Sequence, residues 1–444
     1  MFVHQRRIVR CVWRNLRIAS SYGPKMIRRT ILGASLLLAC GSNEPNSSDA
    51  GNDASFDAGM DDVADATVID AQSCPPPLPP VTAATGPSDT ISGFTPIPSN
   101  FDVDAGLQAA WGTGAIPVSA APDVVGAFRF ICGAGHLGYD DPIVYPCKPG
   151  ISHLHQFYGN TSTNAYSTFD TLRANGKSTC ANGTDSPANR SAYWTPAMLD
   201  GKGNVVQPDY EAVYYKRRPL SDPKCSLTSG DPQAEGNCVP IPSGIQFTFG
   251  FDPTNANAPK TGAGSWNCDG KGATQGAYPD IPSAKPFCPV GSQLLAELNA
   301  PSCWDGKNID ASDHRSHVAY PSYGSWGYLK CDAQHPFVIP TFHLAIAYTV
   351  APGDDLSLWT LSSDMLAPNQ PHGYTLHGDY KEAWDDGVKT MWTKGCVDGL
   401  LNCSGGDLGN GRQIIGAQQP AYGWVNPNHL VPLSSIPQTM PPDM

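Results

Sequence analysis

Twelve cysteines lie between residues 74 and 403 of this 444-residue chain, and no two of them are spaced as C-x-x-C. The spacing argues against a zinc ribbon. In a chain with 45 Gly and 42 Pro, an even cysteine count of this size reads as a disulfide framework, and hence as a domain that matures in an oxidising compartment. Cys225 with Cys238, Cys268 with Cys288 and Cys396 with Cys403 are plausible local pairs, although connectivity does not follow from spacing. So many Gly and Pro residues favour short strands, turns and long loops over long helices.

Charge divides the chain into three regimes. Residues 1–40 hold eight basic residues and no acid, whereas residues 41–72 hold eight acids and no Lys or Arg. Met26-Ile27-Arg28-Arg29 followed by an apolar run into Leu37-Leu38-Ala39-Cys40 resembles a lipoprotein signal, with Met26 as the expected start and Cys40 as the acylated residue. Residues 41–98, acidic and then Pro-rich, are too poor in apolar side chains to offset their ordering entropy and are expected to form a disordered stalk. Residues 99–432 are expected to be a single globular domain, followed by a flexible tail over 433–444. The net charge of -12 lacks the basic footprint of a nucleic-acid binder. No apolar run reaches the roughly 18 residues of a spanning helix, so membrane contact is expected through the lipid anchor only. The compartment implied is the outer membrane or the cell surface, and a monomer is expected.

Within the body, Ile245 to Phe251 places Ile and three Phe at alternate positions, which predicts a half-buried strand. Phe337 to Val350, interrupted by Pro340, predicts a two-part strand, and residues 210–217 a further one. Tyr380, Trp384, Val388 and Met391 recur at helical spacing, with Asp379 and Glu382 as a capping box and Gly395 as the stop, which predicts a helix over 380–394. Shorter helices are expected near 168–175 and 292–299. The fold class is therefore mainly β: a disulfide-rich β-sandwich or distorted barrel with long loops and a few short helices.

Histidines gather in three motifs. Ser152-His153-Leu154-His155-Gln156-Phe157 would place two imidazoles on one face of a strand, about 7 Å apart, able to share a metal or a substrate hydroxyl or to serve structurally. Residues 305–317 pack Asp305, Asp310, Asp313, Lys307, Arg315, His314 and His317 into thirteen positions. Such titratable crowding must be solvated or paired wherever it occurs, as a cleft or as a disulfide-pinned surface loop. The third motif is Leu376-His377-Gly378-Asp379-Tyr380. There Asp379 reads as a helix N-cap, and as an orienting partner of His377 if the approach is extended.

These stretches, together with Tyr193-Trp194-Thr195-Pro196 and Asp141-Pro142-Ile143-Val144, resemble the secreted domain-of-unknown-function family that often accompanies WSC carbohydrate-binding modules in filamentous fungi. The likeness covers about residues 125–395. It implies an extracellular, disulfide-bonded domain in polysaccharide-rich surroundings. The lipoprotein-like leader, the acidic stalk and the missing WSC module depart from the fungal pattern and fit a bacterial member.

Three functions follow as expectations. The first is cleavage of a polysaccharide or cell-wall glycan, with Asp305, Asp310 and Asp313 as acid and base, or with a His or Tyr base and Lys307 or Arg315 stabilising an enolate. Tyr193, Trp194, Trp304 and Tyr320 would then stack on sugars. The second is non-catalytic polysaccharide binding. The third is a metal-supported hydrolase using His153, His155 and either His314 or His317. No cofactor is required by the sequence, and a divalent metal is compatible with it. The three motifs are expected to meet in one cleft.

Overall fold

The computed structural model describes residues 74, 76, 78–83, 85–110, 125–181, 186–255, 257, 264–323, 327–418 and 424–439. The leader, Cys40 and residues 41–73 of the expected stalk lie outside the described residues.

Two antiparallel sheets carry the domain, as the mainly β reading requires. The strands used here are β1 (Gly126–Cys132), β2 (Leu137–Gly138), β3 (His155–Gly159), β4 (Ala192–Pro196), β5 (Tyr210–Arg217), β6 (Gln246–Gly250), β7 (Gly264–Gly270), β8 (Ser292–Asn299), β9 (Thr341–Thr349), β10 (His377–Lys381) and β11 (Asn402–Cys403). One sheet has the order β6-β10-β4-β3-β2, the other β7-β8-β9-β5-β1-β11; only β1 and β11 run parallel within them.

Strand alternation builds the layer between the sheets. Phe342, Leu344, Ile346 and Tyr348 of β9 are buried along one face, as are Phe247 and Phe249 of β6. Phe342 lies 4.6 Å from Tyr380, 5.9 Å from Phe247 and 6.3 Å from Tyr193, measured between ring centroids. Each such side chain contributes about 1.5–3 kcal/mol on burial. The strands predicted near 245–251, 210–217 and 337–350 are present, the last as Phe337–Val338 and β9 on either side of Pro340.

Two predicted helices differ. Residues 292–299 form β8, with Ser292, Leu294, Ala296 and Leu298 buried in alternation; pairing with β7 and β9 overrides the helical propensity of Leu, Ala and Glu. The 380–394 helix is two elements. Residues His377–Lys381 form β10, laddered to β6 and β4 on its two edges. The helix α2 starts only at Asp386 and ends at Trp392, with Asp385 as N-cap, accepting from the amides of Gly387 and Val388. Asp379 is therefore a strand residue and caps nothing. The helix expected near 168–175 is α1, Phe169–Ala174, closed by a capping box at Thr168.

The expected boundaries also shift. Val81 is buried, and the amides of Val81 and Ala83 donate to the carbonyls of Lys307 and Gly306, so the segment just before residue 98 packs on the domain instead of extending as a stalk. At the other end, Leu433 and Ile436 pack against the cluster around Leu154 and Val205, and Gln438 donates to the Gly150 carbonyl.

Among the described residues, six disulfides join Cys74–Cys147, Cys132–Cys180, Cys225–Cys238, Cys268–Cys288, Cys303–Cys331 and Cys396–Cys403. Three of them are the local pairs suggested by spacing. Replacing Cys132 and Cys180 together by Ala should lower unfolding stability by about 2–5 kcal/mol, read from urea denaturation of the oxidised protein. An unchanged midpoint would contradict the framework reading.

Candidate functional site

The outer face of the five-stranded sheet, opposite the aromatic layer, carries the polar cluster. Alternation along β10 sends Tyr380 inward and leaves His377, Asp379 and Lys381 on the outer side. Asp379 stands opposite Trp194 of β4, which stands opposite Phe157 of β3. His155, two residues before Phe157, shares that face. His153 precedes the strand, and its ring closes to 4.2 Å from His155 and 5.1 Å from His377, nearer than two positions on one regular strand would allow.

Hydrogen bonds fix two of the rings. His155 Nδ1 lies 2.9 Å from the Asp140 carbonyl and His377 Nδ1 2.7 Å from the Thr375 carbonyl. A carbonyl has no proton to give, so each Nδ1 carries one and each Nε2 presents a lone pair. The Nε2 atoms of His153, His155 and His377 are buried without a hydrogen-bond partner, as are both carboxylate oxygens of Asp379. One ligand atom each from His153, His155 and His377 lies within 4.8 Å of the others, and the same holds for Asp141, His155 and Asp379. These are the atoms that could hold a metal.

Burial sets the protonation. It pushes His155 down to about 3, with the neighbouring His377 adding to the effect. It holds His153 and His377 well below the ordinary imidazole range, again with a second imidazole reinforcing it. Asp379 is driven well above the usual carboxylate range by burial and by the charge of Asp141. Asp141 is also raised by burial, against the amides of Val144 and Ile143 that it accepts from. The nearby cations are committed to backbone. Lys381 donates to the carbonyls of Ser167 and Pro142, and burial lowers it to about 8. Arg315 donates to those of Phe251 and Gly250.

A cleft of about 460 Å³ borders the cluster, lined among others by Tyr139, Asp141, Tyr145, His153, Pro253 and Met365. Asp141 and His153 are the two members of the cluster in its wall.

The motifs at 152–160 and 376–380 thus meet. The middle motif is the loop of a hairpin, since Cys303–Trp304 pairs with Val318–Ala319, and most of its titratable groups are spent locally. Asp305 accepts from the amides of Lys307 and Asn308, and Asp313 from those of Arg315 and Ser316. His317 is buried with Nε2 2.9 Å from the Gln246 carbonyl. His314, at a left-handed φ of 56°, meets the Asp310 carboxylate at 2.9 Å, and Gln246 holds that carboxylate from the other side. Lys307 is exposed, and the Tyr320 hydroxyl donates to the Asn299 carbonyl.

The sugar platforms need correction. Tyr193, Trp194 and Trp304 are fully buried; the Tyr193 hydroxyl lies 2.8 Å from that of Tyr215, and the Trp304 indole donates to the Asn308 carbonyl. Asp141 and Lys381 were not among the residues selected from sequence. The signal for Asp141 was its place at the head of Asp-Pro-Ile-Val; Lys381 had one only in the alternation His377, Asp379, Lys381.

The chain matches, over residues 141–384, the family described as Domain of unknown function (DUF1996). It belongs to that family. The matched stretch opens on Asp141 and contains His153, His155, His377, Asp379 and the hairpin loop. No curated protein and no solved structure matches the chain.

Burial opposes a charge on His314, but the hydrogen bond and charge of Asp310, helped by Asp141 and Asp313, outweigh it and hold the imidazole above its ordinary value. A raised folded-state value means that this pair stabilises the fold fully below about pH 6.5 and that the contribution is lost as pH rises through the His314 value. In an NMR titration Asp310→Asn should move His314 downward; an unmoved His314 would show that Asp310 does not hold its charge.

Proposed function

We propose that this chain is an exported, carbohydrate-active hydrolase that cleaves a polysaccharide at the His/Asp cluster. The observation that carries the reading is the position of Asp141 and His153 in the wall of one cleft, with His155, His377 and Asp379 directly behind them. Cleavage of a glycosidic bond needs a proton for the leaving oxygen and an activated water for the anomeric carbon. Asp141, whose carboxyl burial pushes upward against the amides it accepts from, would supply the first. The imidazole cluster takes a proton from the attacking water as its oxygen bonds to carbon and the C–O bond breaks; that proton later restores Asp141. Tyr139 and Tyr145, half-buried in the cleft wall, replace the three buried aromatics as rings able to lie against a sugar face.

The basic leader ending at Cys40 and the six disulfides support an exported lipoprotein at a bacterial outer membrane or cell surface. Its partner there would be an envelope or matrix polysaccharide, and it would touch the membrane through the anchor alone. The family likeness supports the same surroundings.

Two experiments test the reading. A polysaccharide panel with product mass spectrometry should yield a cleaved glycan. Asp141→Asn should slow that cleavage by about 10²–10⁴-fold, while surface Lys285→Ala leaves it unchanged. Folded protein that releases nothing from any glycan, or an Asp141→Asn variant as fast as the parent, would refute it. For the anchor, mass spectrometry of membrane-extracted protein should find an N-terminal acylated Cys40, and Cys40→Ser should release the chain from the membrane fraction. A parent protein recovered with unmodified Cys40 would exclude the anchor.

A further inference from the structure

In the cluster on the outer face of the five-stranded sheet, the acceptors outnumber the hydrogen-bond donors aimed at them. His155 and His377 each spend their single proton on a backbone carbonyl, at Nδ1. The Nε2 atoms of His153, His155 and His377 and both oxygens of Asp379 are then buried together with no hydrogen-bond partner. An unsatisfied buried polar atom loses its hydration with nothing in return, and the penalties accumulate at one spot. A proton on Asp379 and the single N–H of His153 could serve two lone pairs and would leave the others facing each other. Lys381 and Arg315, the cations close enough to help, point their hydrogens at the carbonyls of Ser167, Pro142, Phe251 and Gly250. Something positive that accepts several lone pairs at once is the simple remedy.

We propose that His153, His155 and His377 bind one divalent cation of the zinc class through Nε2, with Asp379 supplying negative charge beside it. One ligand atom from each imidazole lies within 4.8 Å of the other two, so a single ion can reach all three. The outer support has the form that metal-binding histidines adopt, each donating its second ring N–H to a fixed carbonyl, here those of Asp140 and Thr375. Three neutral nitrogen donors favour zinc and its transition-series neighbours over magnesium or calcium, which prefer oxygen. Three protein ligands with an open position are also the pattern of catalytic zinc sites, where bound water deprotonates near neutral pH. His153 lines the cleft, so the open position would face it; with the Nε2 lone pairs on the ion, the attacking water would be the ion's own and the imidazoles would no longer serve as its base.

This ligand set differs from the one expected from sequence. His314 is engaged with Asp310, and His317 Nε2 with the Gln246 carbonyl; His377 takes the place assigned to them. The inference goes beyond the cleavage reading and does not depend on the substrate.

The test uses the full chain, purified without a polyhistidine tag, stripped with a chelator and titrated with Zn(II) against a chromophoric competitor. One equivalent should bind, with no competition from millimolar Mg(II). His153→Ala and His377→Ala should each weaken binding by at least about 100-fold, and His343→Ala, on a different sheet, should not. Absence of stoichiometric binding would overturn the proposal, as would an equal loss in His343→Ala. Should the fully buried His377 variant fail to fold, X-ray absorption of the zinc-loaded parent decides, because fewer than three imidazoles on the ion would also overturn it. A protein that binds zinc as described but cleaves no glycan would leave this inference standing and remove the cleavage reading.

Discussion

Strand β10 is hydrogen-bonded along both edges, to β6 and to β4, and the placement of the site follows from that. A strand held on both sides cannot rotate, so each side chain is committed to one face. Tyr380 enters the aromatic layer against Phe342, Tyr193 and Phe247, which fixes the register by burial. His377 and Asp379 are then forced outward, where the sheet surface would ordinarily meet solvent or a covering loop. A one-residue slip would put three titratable groups, His377, Asp379 and Lys381, into the aromatic layer and Tyr380 outside it. The same packing that stabilises the sandwich therefore positions the chemistry, and it does so with little freedom for adjustment.

What covers the outer face is polar and carefully anchored. The segment from Asp140 to His153 crosses it, with Asp140 accepting from the amides of Gly150 and Ala165 while its carbonyl orients His155. Lys381 reaches the Pro142 carbonyl from β10 and fastens the segment to the sheet. The hairpin loop at 305–317 flanks the cluster and braces it: Arg315 ties to the end of β6, and the amide of Thr248 donates to the carbonyl of His314. Its crowding of charges is thus largely mechanical, with Asp305 and Asp313 shaping turns and Asp310 pairing with His314. Apart from His317 Nδ1, the loop's titratable groups are largely satisfied in place, whereas the histidine cluster, like the Glu211 carboxylate elsewhere, keeps buried acceptors without a partner.

Much of the fold was legible because period-2 burial writes itself into the residues, as in Phe247 and Phe249 or in Phe342 through Tyr348. The misreadings have identifiable causes. Ser292 to Asn299 is built from Leu, Ala, Glu and Gln, good helix formers, and only its neighbours β7 and β9 make it a strand. The spacing of Tyr380, Trp384 and Val388 is helical by coincidence, since β10, a connecting turn and α2 each bury one of them. In the site, His153, His155, His377 and Asp379 could be found as polar residues clustered in short motifs. Asp141 and Lys381 could not, because their role arises from the loop that lies over the sheet. The three aromatic residues chosen as platforms were misplaced for a simpler reason: sequence shows a ring but not which side of a sheet it occupies.

The arm before residue 98 adds a constraint that composition alone concealed. Its Pro-rich sequence lacks a core of its own, yet the Cys74–Cys147 disulfide attaches it to the segment between Asp141 and His153, and its amides at Val81 and Ala83 bond the hairpin loop at Lys307 and Gly306. One short length of chain thus touches both loops that surround the cluster. Its closing entropy is offset by a covalent bond at one end and by burial of Val81 at the other. The arm is better understood as the first structural element of the domain than as the last part of a tether.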